Sequence, residues 1–180
     1  MRELFHLFPN AFNDDEIAAI ITLADQSPAQ DGTVFSTAEG AETIRKSKIR
    51  WLRDAALQER LWGYVQTANE ASFGVDVTNQ ADMQFTSYEA AEGGHYDWHH
   101  DVHWSAQEGQ DRKISMTIQL TDSQDYEGGA FEFEEVKTTA DFRGKGTVLL
   151  FPSYLRHKVH PVTAGTRQSL VAWFFGNRWR

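Results

Sequence analysis

The sequence predicts a mainly β domain, a sandwich or barrel with two helices packed on its outside. Three observations carry that expectation. Helical periodicity is confined to the part before residue 80, short extended segments crowd into residues 82–176, and the stretches between them are built from turn formers.

"NDDEIAAIITLAD" (13–25) reads as a capped helix. Asn13 accepts from first-turn amides, Glu16 completes a capping box, and Ile17, Ile20, Ile21 and Leu23 form an apolar stripe. Residues 26–42, rich in Ser, Gly, Thr and Asp, are expected as an exposed loop and a mobile lid beside a cleft. "KIRWL" (48–52) is a short strand. A second helix, from residue 54 to about 70, has Leu57, Leu61, Tyr64 and Val65 at helical spacing. The extended segments follow: "DMQFTSYEA", "RKISMTIQLT", "GAFEFEEV", "GTVLLFPS", "HKVH" and "QSLVAWFFG". Between them lie "EGG", "TDSQDYEGG", "DFRGKG" and "PVTAG".

With 180 residues, 41% of them hydrophobic and 12 Phe and 6 Trp among them, the chain has core material for one domain over 1–180. Residues 1–80 supply helical and loop support, and 82–176 the β core. The absence of cysteine excludes disulfides, thiolate metal sites and thiol nucleophiles, so any metal sits on nitrogen and oxygen ligands. No apolar run approaches the roughly 20 residues of a membrane span, and an unprocessed, soluble cytoplasmic protein is expected. A net charge of -9 repels phosphate backbones, which disfavours nucleic acid as a partner, the basic tail "GNRWR" being the local exception. There is no dinucleotide-binding glycine fingerprint, phosphate loop or nucleophile elbow, and nothing specifies an oligomeric state.

Chemistry concentrates in "EGGHYDWHHDVHW" (92–104). Both His95-Tyr96-Asp97 and His99-His100-Asp101 are His-x-Asp pairs. Residues two apart on an extended strand share a face, so either pair suits one cation, as does Asp101 with His103. His157 or His160 is the donor expected from another strand. Two imidazoles and a carboxylate make the facial triad of mononuclear non-haem Fe(II) oxygenases, with positions left for an oxidant and a cosubstrate; zinc hydrolysis is the rival chemistry. Arg167 adjoins an apolar strand, where a buried guanidinium needs an anion, or else it ends the "TAGTR" loop at the surface. Ser115, Thr117 and Gln119 alternate with Ile114, Met116, Ile118 and Leu120, giving a polar row opposite an apolar one.

Tyr88, then Gly94 and Tyr96 ahead of His99-His100-Asp101, then Gly128-Gly129, then "HKVHPVTAGTR" with Arg167 ten residues after His157, form an ordered set. In these features, over about residues 82–176, the chain resembles the Fe(II)- and 2-oxoglutarate-dependent dioxygenases in their prolyl 4-hydroxylase-like branch. The resemblance implies a double-stranded β-helix, a cupin-like jelly roll with the N-terminal helices packed outside. It implies Fe(II) on His99, Asp101 and His157, and selects the second His-x-Asp pair because Tyr96 stands three residues before His99. It places the distal carboxylate of 2-oxoglutarate on Arg167, and it suggests cosubstrate contacts for Tyr88, Thr117, Gln119 and Trp173, each of which has an ordinary core or surface role as the alternative. His95, Asp97, His100 and His103 are expected as a polar rim or as groups orienting the ligands, and His160 as pointing away from the iron. "RKSKIRWL" (45–52) is expected as a solvated strand edge, with contact to an acidic part of a peptide as the alternative.

The implied reaction consumes O2 and 2-oxoglutarate, releases succinate and CO2, and hydroxylates an unactivated C–H bond, with ascorbate as a candidate reductant. Prolyl 4-hydroxylation of a peptide or protein is the first expectation. A free amino acid or other small molecule is the second, and a non-catalytic cupin-like binding module the third. Nucleic-acid demethylation within the same superfamily is disfavoured, because those relatives carry a second Arg where this chain has Trp173.

Overall fold

Two antiparallel sheets face one another, and both helices lie against the outer face of the larger. The computed structural model describes residues 3–32, 44–104 and 109–180. Its elements are β1 (His6–Phe8), α1 (Asp14–Asp25), β2 (Gln30–Asp31), β3 (Arg45–Lys46), β4 (Lys48–Leu52), α2 (Ala55–Ala68), β5 (Ala81–Glu89), β6 (His95–His99), β7 (Asp111–Gln119), β8 (Tyr126–Gly128), β9 (Phe131–Phe133), β10 (Val148–Pro152), β11 (His157–Val159) and β12 (Val162–Gly176). The larger sheet runs β1-β10-β7-β12-β5-β4-β2, with β8 pairing β12, and the smaller runs β3-β6-β11-β9. This is the double-stranded β-helix with flanking N-terminal helices that the sequence led us to expect.

The helices start where their caps place them. Asn13 Oδ1 accepts from the Glu16 amide at 3.0 Å and Glu16 Oε2 accepts from the Asn13 amide at 2.9 Å, a reciprocal box. Asp54 Oδ1 accepts from the Leu57 amide at 2.7 Å and starts α2. α1 buries Ile17, Ile20 and Ala24; α2 buries Leu61, Val65 and Ala68. They close over Ile114, Met116 and Ile118 of β7 and Leu170, Ala172 and Phe174 of β12. Each fully buried aliphatic or aromatic side chain here contributes about 1.5–3 kcal/mol, so this layer fixes the larger sheet as a rigid platform.

Alternation then sends the other side chains of the same strands inward. Ser115, Thr117 and Gln119 on β7, Gln84, Thr86 and Tyr88 on β5, and Arg167, Ser169 and Trp173 on β12 are all buried. A buried face this polar leaves little to apolar packing, and it surrounds the site described below.

Several boundaries differ from the sequence reading. β12 begins at Val162, inside "PVTAG", which reads as a turn because of Gly165. That glycine has φ +69°, and the pairing with β8 shifts register between Val162 and Ala164, so one strand passes from β8 to β5 and β7 through a bulge. "TDSQDYEGG" likewise contains β8. β1, β2 and β3 are too short to carry a periodic signal. "RKSKIRWL" is not a solvated edge: Arg45, Ser47, Ile49 and Leu52 are buried. Of the expected lid, 26–32 runs into β2, which pairs with β4, and the remainder lies outside the described residues. No helix among the described residues is long and apolar enough to cross a membrane.

Candidate active site

β6 and β11 pair so that His157 stands opposite His99, which puts both imidazoles on one face of the smaller sheet. Asp101 lies just past the end of β6, where the chain bends and its amide donates to Ser153 O at 2.9 Å. The His-x-Asp pair therefore meets through a turn in the chain and not along one extended strand. Ligand atoms of His99, Asp101 and His157 all fall within 4.8 Å of one another. His99 Nε2 is 3.7 Å from Asp101 Oδ1, and His157 Nε2 is 3.6 Å from Asp101 Oδ2.

Each donor is oriented from behind. His99 Nδ1 is 2.7 Å from Asp97 O and His157 Nδ1 is 2.9 Å from Leu155 O, contacts that require a proton on Nδ1 and leave the Nε2 lone pairs directed inward. The Ser115 hydroxyl donates to Asp101 Oδ2 at 2.6 Å and lies 2.9 Å from Ser153 Oγ. Tyr96 stacks on His99 with ring centroids 3.4 Å apart, and Phe131 and Phe151 flank His157 at 5.3 Å and 4.7 Å. Burial, and then His157, hold His99 down to about 3, so it is neutral at physiological pH. Burial opposes ionisation of Asp101, but His157, His99, Arg112 and the Ser115 hydrogen bond outweigh it and bring the carboxyl to about 2. His99 and Asp101 thus stand ready as metal ligands. This donor set is one that Fe(II) accepts, and it is a 2-His-1-carboxylate facial triad.

One cavity connects the triad to the larger sheet. Tyr88, Thr117, Arg167 and Trp173 line it, as do Arg45, Gln84 and Tyr96. Arg167 is 2% exposed, which for a guanidinium demands compensation. Its Nη2 donates to Gln119 Oε1 at 2.6 Å, while Nε and Trp173 Nε1 are buried and have no hydrogen-bond partner among the described residues. A carboxylate between the triad and Arg167 fits that deficit. Gly129 allows the close packing here: it has φ +61°, and a Cβ on it would stand 2.9 Å from Arg167 Cδ. Gly94 does the same beside Tyr88, where a Cβ would meet Tyr88 Cα at 2.8 Å.

The residues matching the family's sequence pattern, described as the 2OG-Fe(II) oxygenase superfamily, are 83–175. The chain belongs to that superfamily. Its matches fall in the PKHD-type and prolyl-hydroxylase-like branch. A PKHD-type hydroxylase of Colwellia psychrerythraea is 28% identical over 169 residues, covering 92% of this chain and 75% of that protein. Among solved structures, the viral collagen prolyl hydroxylase of Paramecium Bursaria Chlorella virus-1, in its 2OG complex, has a TM-score of 0.70 at 16% identity over 97% of both chains. A prolyl hydroxylase of Trichoplax adhaerens, in complex with a hypoxia inducible factor peptide fragment, has a TM-score of 0.73 at 19% identity, covering 96% of this chain and 84% of that one.

Of the oxygenase's other predicted residues, Gln119 sits behind Arg167, accepting from it and donating to the Tyr126 hydroxyl at 3.1 Å, and is not among the cavity-lining side chains. His95 and Asp97 stay out of the triad: His95 Nδ1 is 2.7 Å from Gly93 O, and Asp97 Oδ1 accepts from the Trp98 amide. His160 turns outward to Glu132, 2.5 Å away. His100 stacks edge-on with the exposed Trp104. Sequence reasoning gave no role to Ser153, and none to Ser115 beyond the polar row. It read Arg45 as part of a solvated basic edge, with peptide contact as the alternative, and did not foresee its burial in the cavity wall.

Proposed function

We propose that this oxygenase hydroxylates a prolyl residue of a peptide or protein, with Fe(II) on His99, Asp101 and His157 and 2-oxoglutarate anchored by Arg167. Held by these residues, Fe(II) would activate O2, the oxidant, with 2-oxoglutarate giving up two of the four electrons that O2 takes up and the C–H bond the other two: one oxygen atom enters the C–H bond, the other enters succinate, and CO2 leaves. The protein's own part is placement. Arg167, held by Gln119, fixes the far carboxylate, and Tyr88 and Thr117 wall the space between it and the triad. Tyr96, Phe131 and Phe151 clamp the imidazoles and keep water off them.

The observation that carries this reading is one cavity faced by both the triad and the buried, incompletely paired Arg167. A zinc hydrolase has no use for such an anchor, and a binding module has no use for three ligand donors oriented from behind. A peptide substrate is supported by the names of the PKHD-type and prolyl hydroxylase relatives. It is supported too by an aromatic path out of the cavity: Trp173 lies 6.2 Å from Trp51, which is 42% exposed. Proline-rich chains dock against aromatic surfaces of this kind.

The test is incubation with Fe(II), 2-oxoglutarate, O2 and a library of proline-containing peptides and free amino acids, following succinate together with the mass gain of one oxygen. Ascorbate dependence is read in the same assay. Peptidyl proline should be the acceptor; hydroxylation of free amino acids alone defeats the prolyl-peptide reading, and no 2-oxoglutarate turnover with any member defeats the oxygenase assignment of these residues.

A further inference from the structure

The basic tail "GNRWR" (176–180) has no part in the site as described so far, yet it folds back onto the strand that carries Ser115. β12 runs out at Gly176, opposite Asp111. A Cβ on Gly176 would stand 2.2 Å from Asp76 O, so the chain passes here only as glycine, and Asn177 Nδ2 then donates to Asp76 Oδ2. Trp179 follows, half-buried. Its amide donates to Asp111 Oδ2 at 2.7 Å and its indole Nε1 to Arg112 O at 3.1 Å. Lys113 Nζ lies 3.5 Å from the centroid of its ring, and Tyr154 meets the same ring edge-on at 5.0 Å. One residue of the tail thus touches three consecutive residues of β7 and the turn that follows β10.

These contacts converge on an irregularity in the sheet. Phe174 pairs with Ile114 but Phe175 pairs with Arg112, so Lys113 is an extra residue on β7, a bulge. Strict alternation would put Arg112 on the helix-facing side with Ile114 and Met116. The bulge turns it to the inner side instead, where its Cζ lies 3.9 Å over the ring of Trp173 in the cavity wall. The bulged residue also carries a link to the carboxylate of the triad. Lys113 O accepts from the Ser153 amide at 3.1 Å, and Ser153 O accepts from the Asp101 amide at 2.9 Å. Ser153 Oγ lies 2.9 Å from the Ser115 hydroxyl that donates to Asp101 Oδ2. Asp101 lies past the end of β6, so these contacts hold it in place of a strand ladder. Ser153 and Asp101 are both buried, where a displaced backbone group finds no water as a substitute partner, so a shift of Lys113 O is passed along the series.

Resting on the oxygenase reading above, we infer that Trp179 is a positioning residue of the metal centre: it pins the bulge at Lys113 and, through Ser153, sets where the Asp101 carboxylate stands. The ring carries most of this role. It touches both Lys113 and Tyr154, and so spans the two segments that the Lys113–Ser153 hydrogen bond joins, whereas the indole N–H holds only the β7 side.

The experiment uses the full chain and two metal probes: calorimetric titration with Mn(II), and the visible absorption of the Co(II)-loaded protein, whose intensity reports ligand geometry. Both are recorded at a temperature where melts show every variant folded. In Trp179→Ala the Mn(II) affinity should fall about five- to tenfold, the low end of what groups behind a metal ligand contribute, and the Co(II) spectrum should change. Trp179→Phe keeps a ring for Lys113 and Tyr154 and gives up the bond to Arg112 O, and it should return affinity to within about twofold of the parent, less than RT. Trp179→Leu fills the space without a π face; it should match Trp179→Ala and serves if that variant does not fold. Val65→Ala, in the α2 core on the far side of the larger sheet, should lower the melting temperature and leave both metal readouts at the parent's, which separates positioning from loss of stability. Parent-like Mn(II) affinity without the aromatic ring, no recovery in Trp179→Phe, or an equal loss in Val65→Ala overturns the inference. A parent that binds no Mn(II) overturns the oxygenase reading and the inference with it, whereas a failure confined to the variants leaves that reading standing.

Discussion

Replacing Arg167 with Met isolates the cosubstrate anchor from the metal. Met preserves most of the buried apolar volume, so the change removes the charge and its donors with little cavity formation. Nη2 already serves Gln119 at 2.6 Å and Nε has no partner among the described residues, which leaves enough of the fork for two hydrogen bonds to an incoming carboxylate. Hydrogen bonds to charged groups contribute about 1.5–3 kcal/mol each. After allowance for solvation of the carboxylate in the mutant cavity, a net loss of about 3 kcal/mol is expected, roughly a hundredfold in the dissociation constant of 2-oxoglutarate. The guanidinium makes no hydrogen bond to a triad residue, so Fe(II) affinity should change less than about threefold, on the order of RT. Arg167→Lys keeps the charge and loses the fork, and should fall between. Anaerobic calorimetry of 2-oxoglutarate into Fe(II)-loaded protein, with thermal melts as the folding control, gives these numbers. A folded Arg167→Met protein that binds 2-oxoglutarate within threefold of the parent refutes the role.

Four other outcomes are expected. Asp101→Ala should abolish stoichiometric Fe(II) binding, and Ser115→Ala, which removes the 2.6 Å hydrogen bond to Oδ2, should weaken it by about 10–100-fold; equal metal titrations for Ser115→Ala and parent would show that the hydroxyl positions nothing. Gly129→Ala places a Cβ against Arg167 at positive φ, so a cost of about 1–3 kcal/mol in stability should accompany weaker 2-oxoglutarate binding, measured by denaturant melts and calorimetry together. The pH dependence of the metal-free protein follows from His99, whose folded-state value near 3 lies below its ordinary 6.5. The unfolded chain therefore takes up a proton that the folded site refuses. This contribution is fully present above about pH 6.5 and is lost as pH falls towards 3. Melting temperature in EDTA should drop between pH 7 and 4.5, and drop less in His99→Phe, which keeps the ring stack; identical slopes would remove His99 as the cause. Trp51→Ala should raise the KM for a peptide substrate without altering 2-oxoglutarate affinity, and a change confined to the latter would place Trp51 elsewhere in the mechanism.

Much of this protein is legible in its sequence because the relevant physics is local. Asn13 and Glu16 cap a helix through groups three residues apart. Ile114, Met116 and Ile118 alternate with Ser115, Thr117 and Gln119, and that alternation separates the helix-facing core from the buried polar row. His99, Asp101, His157 and Arg167 are recognisable by residue type and order, since iron and a carboxylate each demand particular donors. What the sequence could not decide is which distant groups share a space. Both His-x-Asp pairs satisfy the same local rule. The resemblance favours the second, and the physical reason is tertiary: β6 pairs with β11, which sets His157 across from His99, and a bend carries Asp101 back towards Ser115. Gly165 reads as a turn and is a bulge within β12, because strand continuation depends on partners tens of positions earlier in the chain, on β8 and β5. Arg45 reads as one of four surface cations; β3 against β6 and Gln84 on β5 turn it inward. Composition and periodicity fix what each segment buries, whereas non-local strand pairing fixes which buried polar groups meet, and in this protein the chemistry resides in those meetings.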